Sequence, residues 1–294
     1  MLAQPLYINR MASVHPVFKR KLQWKDSDWA TDKQFIASEP DYKEIIPNPS
    51  LRRRMSRIIR MGVAAGLQCL QGSVQPDAIL TATGLGCLAD TEKFMNNLLD
   101  MDEELLPPTA FIQSTFNTIG AQIALLTGNH CYNNTYTHRG FSFESALLDA
   151  SLLIQEGEAD CILTGASDEL TPTLYNILNY FACKERLPAG EGAAFFLLGR
   201  EATDSSFAIL QDIEMMNGSF SEDEIREKIE EILSKHFISD VQVLYPKAFK
   251  QYCGEYPTAT AFAVWYACTY PEQPYSLLYN SFLDNNSFIL LKHI

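Results

Sequence analysis

The sequence predicts a mixed α/β fold, and three observations carry that expectation. Strand-like apolar runs alternate with helix-like periods through the first two thirds of the 294 residues. The composition, 47% hydrophobic and 20% charged, is that of a globular chain with an ample core. No short-period repeat or low-complexity tract interrupts the alternation. A core of this size, in one large or two ordinary domains, needs no disulfide or metal staple.

Leu6-Tyr7-Ile8 is the first expected strand. Between Pro16 and Pro49 the chain is polar, holds Trp24 and Trp29 and shows no sustained period, so a long loop or cap region is expected, serving as a lid or as irregular surface. Leu51 to Leu70 is helical, with Met55, Ile58, Ile59, Gly62 and Gly66 on one face and Arg53, Arg57 and Arg60 on another. The small residues Gly62, Ala64, Ala65 and Gly66 leave room for a close neighbour. Asp77 to Thr83 reads as a buried strand ending in Gly84-Leu85-Gly86-Cys87-Leu88, a loop without the third glycine and the acid of a dinucleotide fingerprint.

Phe111 to Gly120 reads as extended chain leading into the apolar helix Ala121 to Leu126. Tyr132 to Tyr136 is extended, His138-Arg139-Gly140 turns the chain, and Phe141 to Gln155 forms an amphipathic helix stopped near Gly157. Cys161 to Ala166 is the next buried strand, with Asp168-Glu169 at its carboxyl end, and Gly190-Glu191-Gly192 precedes the apolar strand Ala193 to Leu198. Thr203 to Ser206 is the best candidate seam. Beyond it come a helix from Glu224 to Lys235 with Ser221 as N-cap, a strand from Val241 to Tyr245, a helix from Thr258 to Ala267, and strands Tyr275 to Asn280 and Ser287 to Leu291.

The net charge of −13, from 36 acidic against 23 basic residues, repels nucleic acid and anionic membrane surfaces on average. The seven cysteines contain no C-x-x-C pair and do not cluster with histidine, which argues against structural zinc and against a disulfide framework. The first residues do not resemble a leader, and no run of about eighteen apolar residues occurs. The expectation is a reduced, cytoplasmic chain without a membrane span, a metal or a cofactor.

The block from Gly157-Glu158-Ala159-Asp160 through Gly165-Ala166, followed by Gly190-Glu191-Gly192-Ala193-Ala194, resembles the β-ketoacyl synthases of the thiolase superfamily. Arg53 to Arg57 with the helix after it, the loop around Gly84 and the end piece Asn280-Ser281-Phe282 agree as well. The likeness runs through most of the first 200 residues and is patchy afterwards. It implies two similar α/β halves, each with a five-stranded sheet, in α-β-α-β-α layers, paired across a two-fold axis. The halves are expected at residues 1–204 and 205–294, the second shortened.

Active members of that family carry a cysteine at the start of a central helix, where the helix dipole and backbone amides activate it, and two assisting histidines. Counting back from Gly157, the nucleophile position falls at Gly140, with Arg139 or Phe141 one residue to either side, and none is cysteine. The first histidine position falls near Pro246, and the second carries Glu255. After Asn280-Ser281-Phe282 the glycine-rich turn is replaced by Leu283-Asp284-Asn285-Asn286. Acyl transfer needs a nucleophile, and condensation needs donors to the developing enolate. The pattern resembles the catalytically silent chain-length-factor partners of heterodimeric synthases. Tyr7-Ile8-Asn9 and His138 to Ser145 agree with the subgroup of aryl polyene and flexirubin pathways.

That resemblance implies pairing with an active ketosynthase or with a second copy, and work on polyene, polyketide or fatty-acid-like chains. Phe116, Asn117, His138, Arg139, Phe141 and Ser142 are the candidate tunnel or partner contacts, and Arg53, Arg57 and Arg60 are candidates to dock an acidic carrier protein. Each has a plainer reading, as core packing, turn support or solvated surface. Two rival functions stay open. One is an acyl-transferring or hydrolysing enzyme using Ser142, or a cysteine such as Cys131, with Glu144 or Glu255 as base. The other is a homodimeric acyl-binding module.

Overall fold

The computed structural model describes residues 5–17, 33–71, 74–101, 104, 106–181 and 187–294. Trp24, Trp29 and Cys183 lie outside the described residues, as do residues 18–32 of the stretch expected to be a lid or loop between Pro16 and Pro49. In the first half the order is β1 (Leu6–Val14), β2 (Gln34–Phe35), α1 (Tyr42–Ile45), α2 (Pro49–Arg54), α3 (Arg57–Cys69), β3 (Ala78–Ala82), α4 (Leu88–Asp100), α5 (Pro108–Ser114), α6 (Thr118–Thr127) and β4 (Tyr132–Tyr136). A single 3₁₀ turn at Arg139–Phe141 leads into α7 (Ser142–Glu156), β5 (Cys161–Asp168), α8 (Pro172–Tyr180), β6 (Ala189–Gly190) and β7 (Gly192–Gly199). The remainder is β8 (Ala208–Asn217), α9 (Glu222–Lys235), β9 (Val241–Leu244), α10 (Pro246–Cys253), α11 (Ala259–Thr269), β10 (Tyr275–Phe282) and β11 (Asn285–His293).

Nine strands form one continuous sheet in the order β4-β3-β5-β7-β1-β8-β11-β10-β9. The same pattern occurs twice. In the first half β3 runs parallel to β5, which is antiparallel to β7, itself antiparallel to β1. In the second, β9 is parallel to β10, which is antiparallel to β11, itself antiparallel to β8. The helices repeat too, with α3 after β1 matched by α9 after β8, and α7 before β5 matched by α11 before β10. The second half has no counterpart of β4, so the halves hold five and four strands instead of five each. The two are joined edge to edge where Leu6, Tyr7 and Ile8 pair with Leu210, Ile209 and Ala208.

Three cores sort the helices into layers. Helices α3 and α6 cover one face of β3, β5 and β7 through Ile58, Ile59, Ile119 and Ile123. On the other face, α7 and α11 lie between the two half-sheets, in a core that runs from Leu6 and Phe143 to Phe262 and Ile289. Helix α9 closes the far side, with Ile225, Ile229 and Ile232 against Leu277, Phe288 and Leu290. The result is α-β-α-β-α. Helix α11, A-T-A-F-A-V-W-Y-A-C-T, is apolar nearly all round because it is buried nearly all round.

Local chemistry explains the elements. A Cβ on Gly62 would stand 2.8 Å from the Ile119 side chain and one on Gly66 2.6 Å from Ile123, so these glycines let α3 approach α6. Ser221 and Glu224 cap α9 reciprocally, and Gly157 ends α7 at φ 77°. Asn9 sits in a β1 bulge and bonds Glu201 O and Ser206 Oγ, which ties the Tyr7-Ile8-Asn9 run to the turn between β7 and β8.

Three local expectations are corrected. The helix expected from Leu51 to Leu70 is two helices, because buried Met55 (ψ 132°) and Ser56 (ψ 175°) are extended between them. Phe111 belongs to a helix with Pro108 in its first turn, not to extended chain. The first strand continues past Ile8 to Val14, pairing with β7 on one side for most of its length. No helix among the described residues is long and apolar enough to cross a membrane.

Candidate functional site

The loops beyond the carboxyl ends of β3, β4 and β5 meet the start of α11 and the β10–β11 turn, and between them lies a cavity of about 470 Å³. Asp168 pins this junction. Fully buried, it accepts hydrogen bonds from Thr83 Oγ1 (2.9 Å), Gly84 N (2.9 Å) and Leu85 N (3.2 Å) of the first half, and from Thr258 N (3.2 Å) and Oγ1 (2.7 Å) of the second. The halves touch so closely here that a Cβ on Gly84 would lie 2.1 Å from Pro257 Cβ.

Gly190-Glu191-Gly192 forms a second lock. A Cβ on Gly190 would fall 1.9 Å from Cys253 O, and the backbones bond through Gly190 N to Glu255 O and Glu255 N to Pro188 O. Glu191 is fully buried and accepts from Ala37 N, Leu170 N and both Nη atoms of Arg57 at 2.6 Å. Arg57 also donates to Glu39, and Arg60 lies against the same carboxylate. The expected basic stripe is therefore corrected: Arg57 and Arg60 are spent on Glu191 and Glu39, and only Arg53 of the three is exposed.

At the position counted as the nucleophile, Gly140 faces the β10–β11 turn. A Cβ there would meet Phe282 Cβ and Asn285 Cβ at 3.0 Å and Asn285 Oδ1 at 3.1 Å. Beside it Arg139 holds φ 48°, a left-handed conformation that costs a non-glycine residue about 1 kcal/mol or more. Leu283, across the cavity mouth, is held at φ 54°. Ser142 is fully buried; its hydroxyl donates to Arg139 O and accepts from His138 N, with no bond to Glu144 or Glu255. That arrangement supports the turn and leaves the hydroxyl proton without a base.

The second histidine position holds an ion pair. Glu255 Oε1 accepts from Lys250 Nζ at 3.0 Å, and Lys250, with no exposed surface, also donates to Ser281 O at 2.7 Å. Lys250 was not singled out in the sequence; its spacing of five residues before Glu255, on one turn of helix and a cap, was the available signal. Pro246 opens α10 as its first residue and does not line the cavity. Glu144 is buried behind the site, with Oε1 on Ser287 Oγ at 2.7 Å and Oε2 unpartnered. Burial raises its pKa.

Glu169 lines the cavity with Oε1 on Ala89 N, and burial lifts its pKa to about 7. Of the other candidates, Phe116 is half-exposed and lies over Gly86, and Asn117 and His138 are exposed; none of the three lines the cavity. Phe141 is buried against the His138 ring. Cys131 precedes β4 at the end of the strand opposite the site, and burial raises its thiol pKa, so it is no activated thiolate. The site as folded thus unites Arg139, Glu169, Glu255 and the hairpin tip.

Residues 22–226, well over half of the chain, match the sequence model for the beta-ketoacyl synthase N-terminal domain. The chain belongs to the β-ketoacyl synthase family. Solved structures share its fold. A chain of the ishigamide ketosynthase/chain length factor aligns with a TM-score of 0.75 over 99% of both chains at 13% identity. A chain from a type II polyketide synthase acyl-carrier protein in complex with its ketosynthase aligns at 0.76 over 99% of both, with 16% identity. One from a ketosynthase in complex with its chain length factor from Xenorhabdus doucetiae aligns at 0.61, over 97% of this chain and 98% of that one, with 16% identity. No curated protein matches the chain. Among β-ketoacyl synthase-like chains, then, this one carries a crowded glycine at residue 140 and a lysine–glutamate pair at 250 and 255.

Proposed function

We propose that this chain is a non-catalytic β-ketoacyl synthase-like subunit that pairs with an active ketosynthase and shapes its acyl tunnel. The observation that carries the reading is Gly140: a Cβ there would stand only 3.0 Å from Phe282 and Asn285, so the expected nucleophile position is a glycine crowded by the β10–β11 turn. A side chain at that position has to displace the turn by a few tenths of an ångström. The ion pair of Lys250 and Glu255 holds two potential acid–base groups to each other.

A surface for the partner supports the reading. Exposed Met95 and Leu99 on α4, Phe111 and Ile112 on α5, Phe116, and Ile177, Tyr180 and Phe181 on and after α8 form an apolar area. It is continuous: Phe94 packs on Phe111, and Thr171 and Thr173 bond Glu92. Among the described residues β4 is an edge strand of the sheet, paired only with β3. The named chain length factor complexes among the structural neighbours agree with a partner of the same fold. We place the boundary between the halves at residues 204 and 205, in the turn between β7 and β8.

The test is co-expression with the ketosynthase encoded nearby, followed by size measurement and product analysis. The reading expects a one-to-one complex and a shift in product length when Phe116 is replaced by Ala or Trp. A chain that stays monomeric, or products that ignore Phe116, count against it. A second reading, an acyl-binding module, is favoured by the cavity itself; native mass spectrometry of the isolated chain would detect a carried lipid.

A further inference from the structure

The cavity has an unusual balance of groups. Its walls are aliphatic, from Leu85, Leu170, Leu174, Leu178 and Leu187, and its volume is within the range of small-molecule sites. Its lining residues differ in burial: Arg139 and Leu283 are exposed, whereas Leu170, Gly190 and Tyr256 are buried. Helix α8, which contributes Leu174 and Leu178, has no buried residue, so part of its apolar surface is left uncovered by the described residues.

The charges at the cavity divide unequally. Glu255 is neutralised by Lys250. Glu169 is bonded to Ala89 N, and burial brings it close to half-protonated near neutral pH. Among the described residues Arg139 is the single cation on the lining, and its guanidinium makes no hydrogen bond or ion pair with any other of them. The backbone holds Arg139 in the left-handed region, and exposed Leu283 on the same lining is held likewise.

We infer that this cavity binds an amphipathic carboxylate without forming a bond to it, the acid head on the Arg139 guanidinium and the aliphatic tail among the leucines under α8. A guanidinium pairs both oxygens of a carboxylate through parallel hydrogen bonds, whereas an alcohol or a thioester offers it no anion. Each tail methylene taken from water among the leucines adds to affinity until the wall is reached. This inference deepens the proposed function and rests on it in one respect, the absence of a nucleophile that would make the ligand covalent.

The test uses the full chain and isothermal titration with hexanoate, octanoate, decanoate and dodecanoate, beside decanol and decanoyl-pantetheine as uncharged probes. Carboxylates are expected to bind one to one, tightening by about fourfold per methylene until the cavity is full. Arg139→Gln is expected to weaken decanoate by about tenfold or more while leaving decanol unchanged. Its melting temperature serves as the folding control, since the replaced guanidinium makes no hydrogen bond or ion pair with a described residue. Leu178→Trp, which fills the cavity, is expected to remove binding of both. Absence of carboxylate binding, decanol binding as tight as decanoate, or an Arg139→Gln variant that binds decanoate normally would each overturn the inference. Pairing with the ketosynthase is read separately: a chain that pairs but ignores carboxylates sinks this inference alone, and one that binds them but never pairs sinks the proposed function alone.

Discussion

Placing a thiol at the expected nucleophile position by Gly140→Cys is the most direct challenge to the reading of the site. The new Cβ would stand 3.0 Å from Phe282 Cβ, 3.0 Å from Asn285 Cβ and 3.1 Å from Asn285 Oδ1, so the β10–β11 turn has to give by a few tenths of an ångström. Overpacking of this kind costs about 1–3 kcal/mol, offset by about 0.4–1 kcal/mol from the stiffer unfolded chain. The net expectation is a loss of about 1–2 kcal/mol, read as a fall of about 2–4 °C in melting temperature. The sulfur would point at the turn, and the two groups near the second histidine position, Lys250 and Glu255, are bonded to each other. Incubation with an acyl thioester and intact-mass measurement should therefore find no stoichiometric adduct at neutral pH. An unchanged melting temperature together with rapid acylation would refute the argument, since it would mean that the turn does not close the position. Gly140→Ala, with the same Cβ and no thiol, should lose the same stability.

Other expectations follow from named contacts. For Glu169 the ordinary pKa is 4.5 and the folded value about 7, so between those pH values the folded chain keeps a proton that the unfolded chain has lost. Its contribution is greatest below about pH 4.5 and declines by up to about 3 kcal/mol as pH rises through 7; Glu169→Gln should flatten that slope in urea titrations across pH. Arg57→Met removes the guanidinium from buried Glu191 and should cost about 3–5 kcal/mol by chemical denaturation, whereas loss of exposed Arg53 should be silent. Gly190→Ala would place a Cβ 1.9 Å from Cys253 O, a backbone atom that cannot rotate away; poor expression or loss of about 3 kcal/mol or more is expected, and normal stability would mean that the two halves are not locked there. Asp212 is held down to about 2, since burial is outweighed by Lys235 and His236; its contribution, present above about pH 3.8, is lost as pH falls through 2, and Asp212→Asn should lose about 2 kcal/mol of stability at neutral pH.

Much of the fold was legible because it rests on local, periodic signals. The buried strands at Ala78, Cys161 and Ala193 and the helices from Phe141 and Glu224 show in apolar runs, caps and stops that depend on neighbours in the chain. The errors came where a few residues override the pattern: buried, extended Met55 and Ser56 split one helix, and Pro108 starts another inside an apolar stretch that reads as extended. At the site, the sequence alone shows that Gly140, Pro246 and Glu255 stand where the family resemblance expects a cysteine and two histidines.

What replaces them was decided by tertiary structure. Gly140 meets Phe282 and Asn285 across nearly half the chain, and no local rule foretells that a hairpin turn crowds that position. Glu191 and Asp168 are ordinary acids in the sequence, yet each gathers donors from segments far apart. Arg53, Arg57 and Arg60 share a helical spacing but not an environment, because burial and pairing are set by what packs against a helix. Arg139 shows the same division: its charge is written in the sequence, but its place on the lining of an apolar cavity, without an ion pair among the described residues, exists only once the loops of both halves have met.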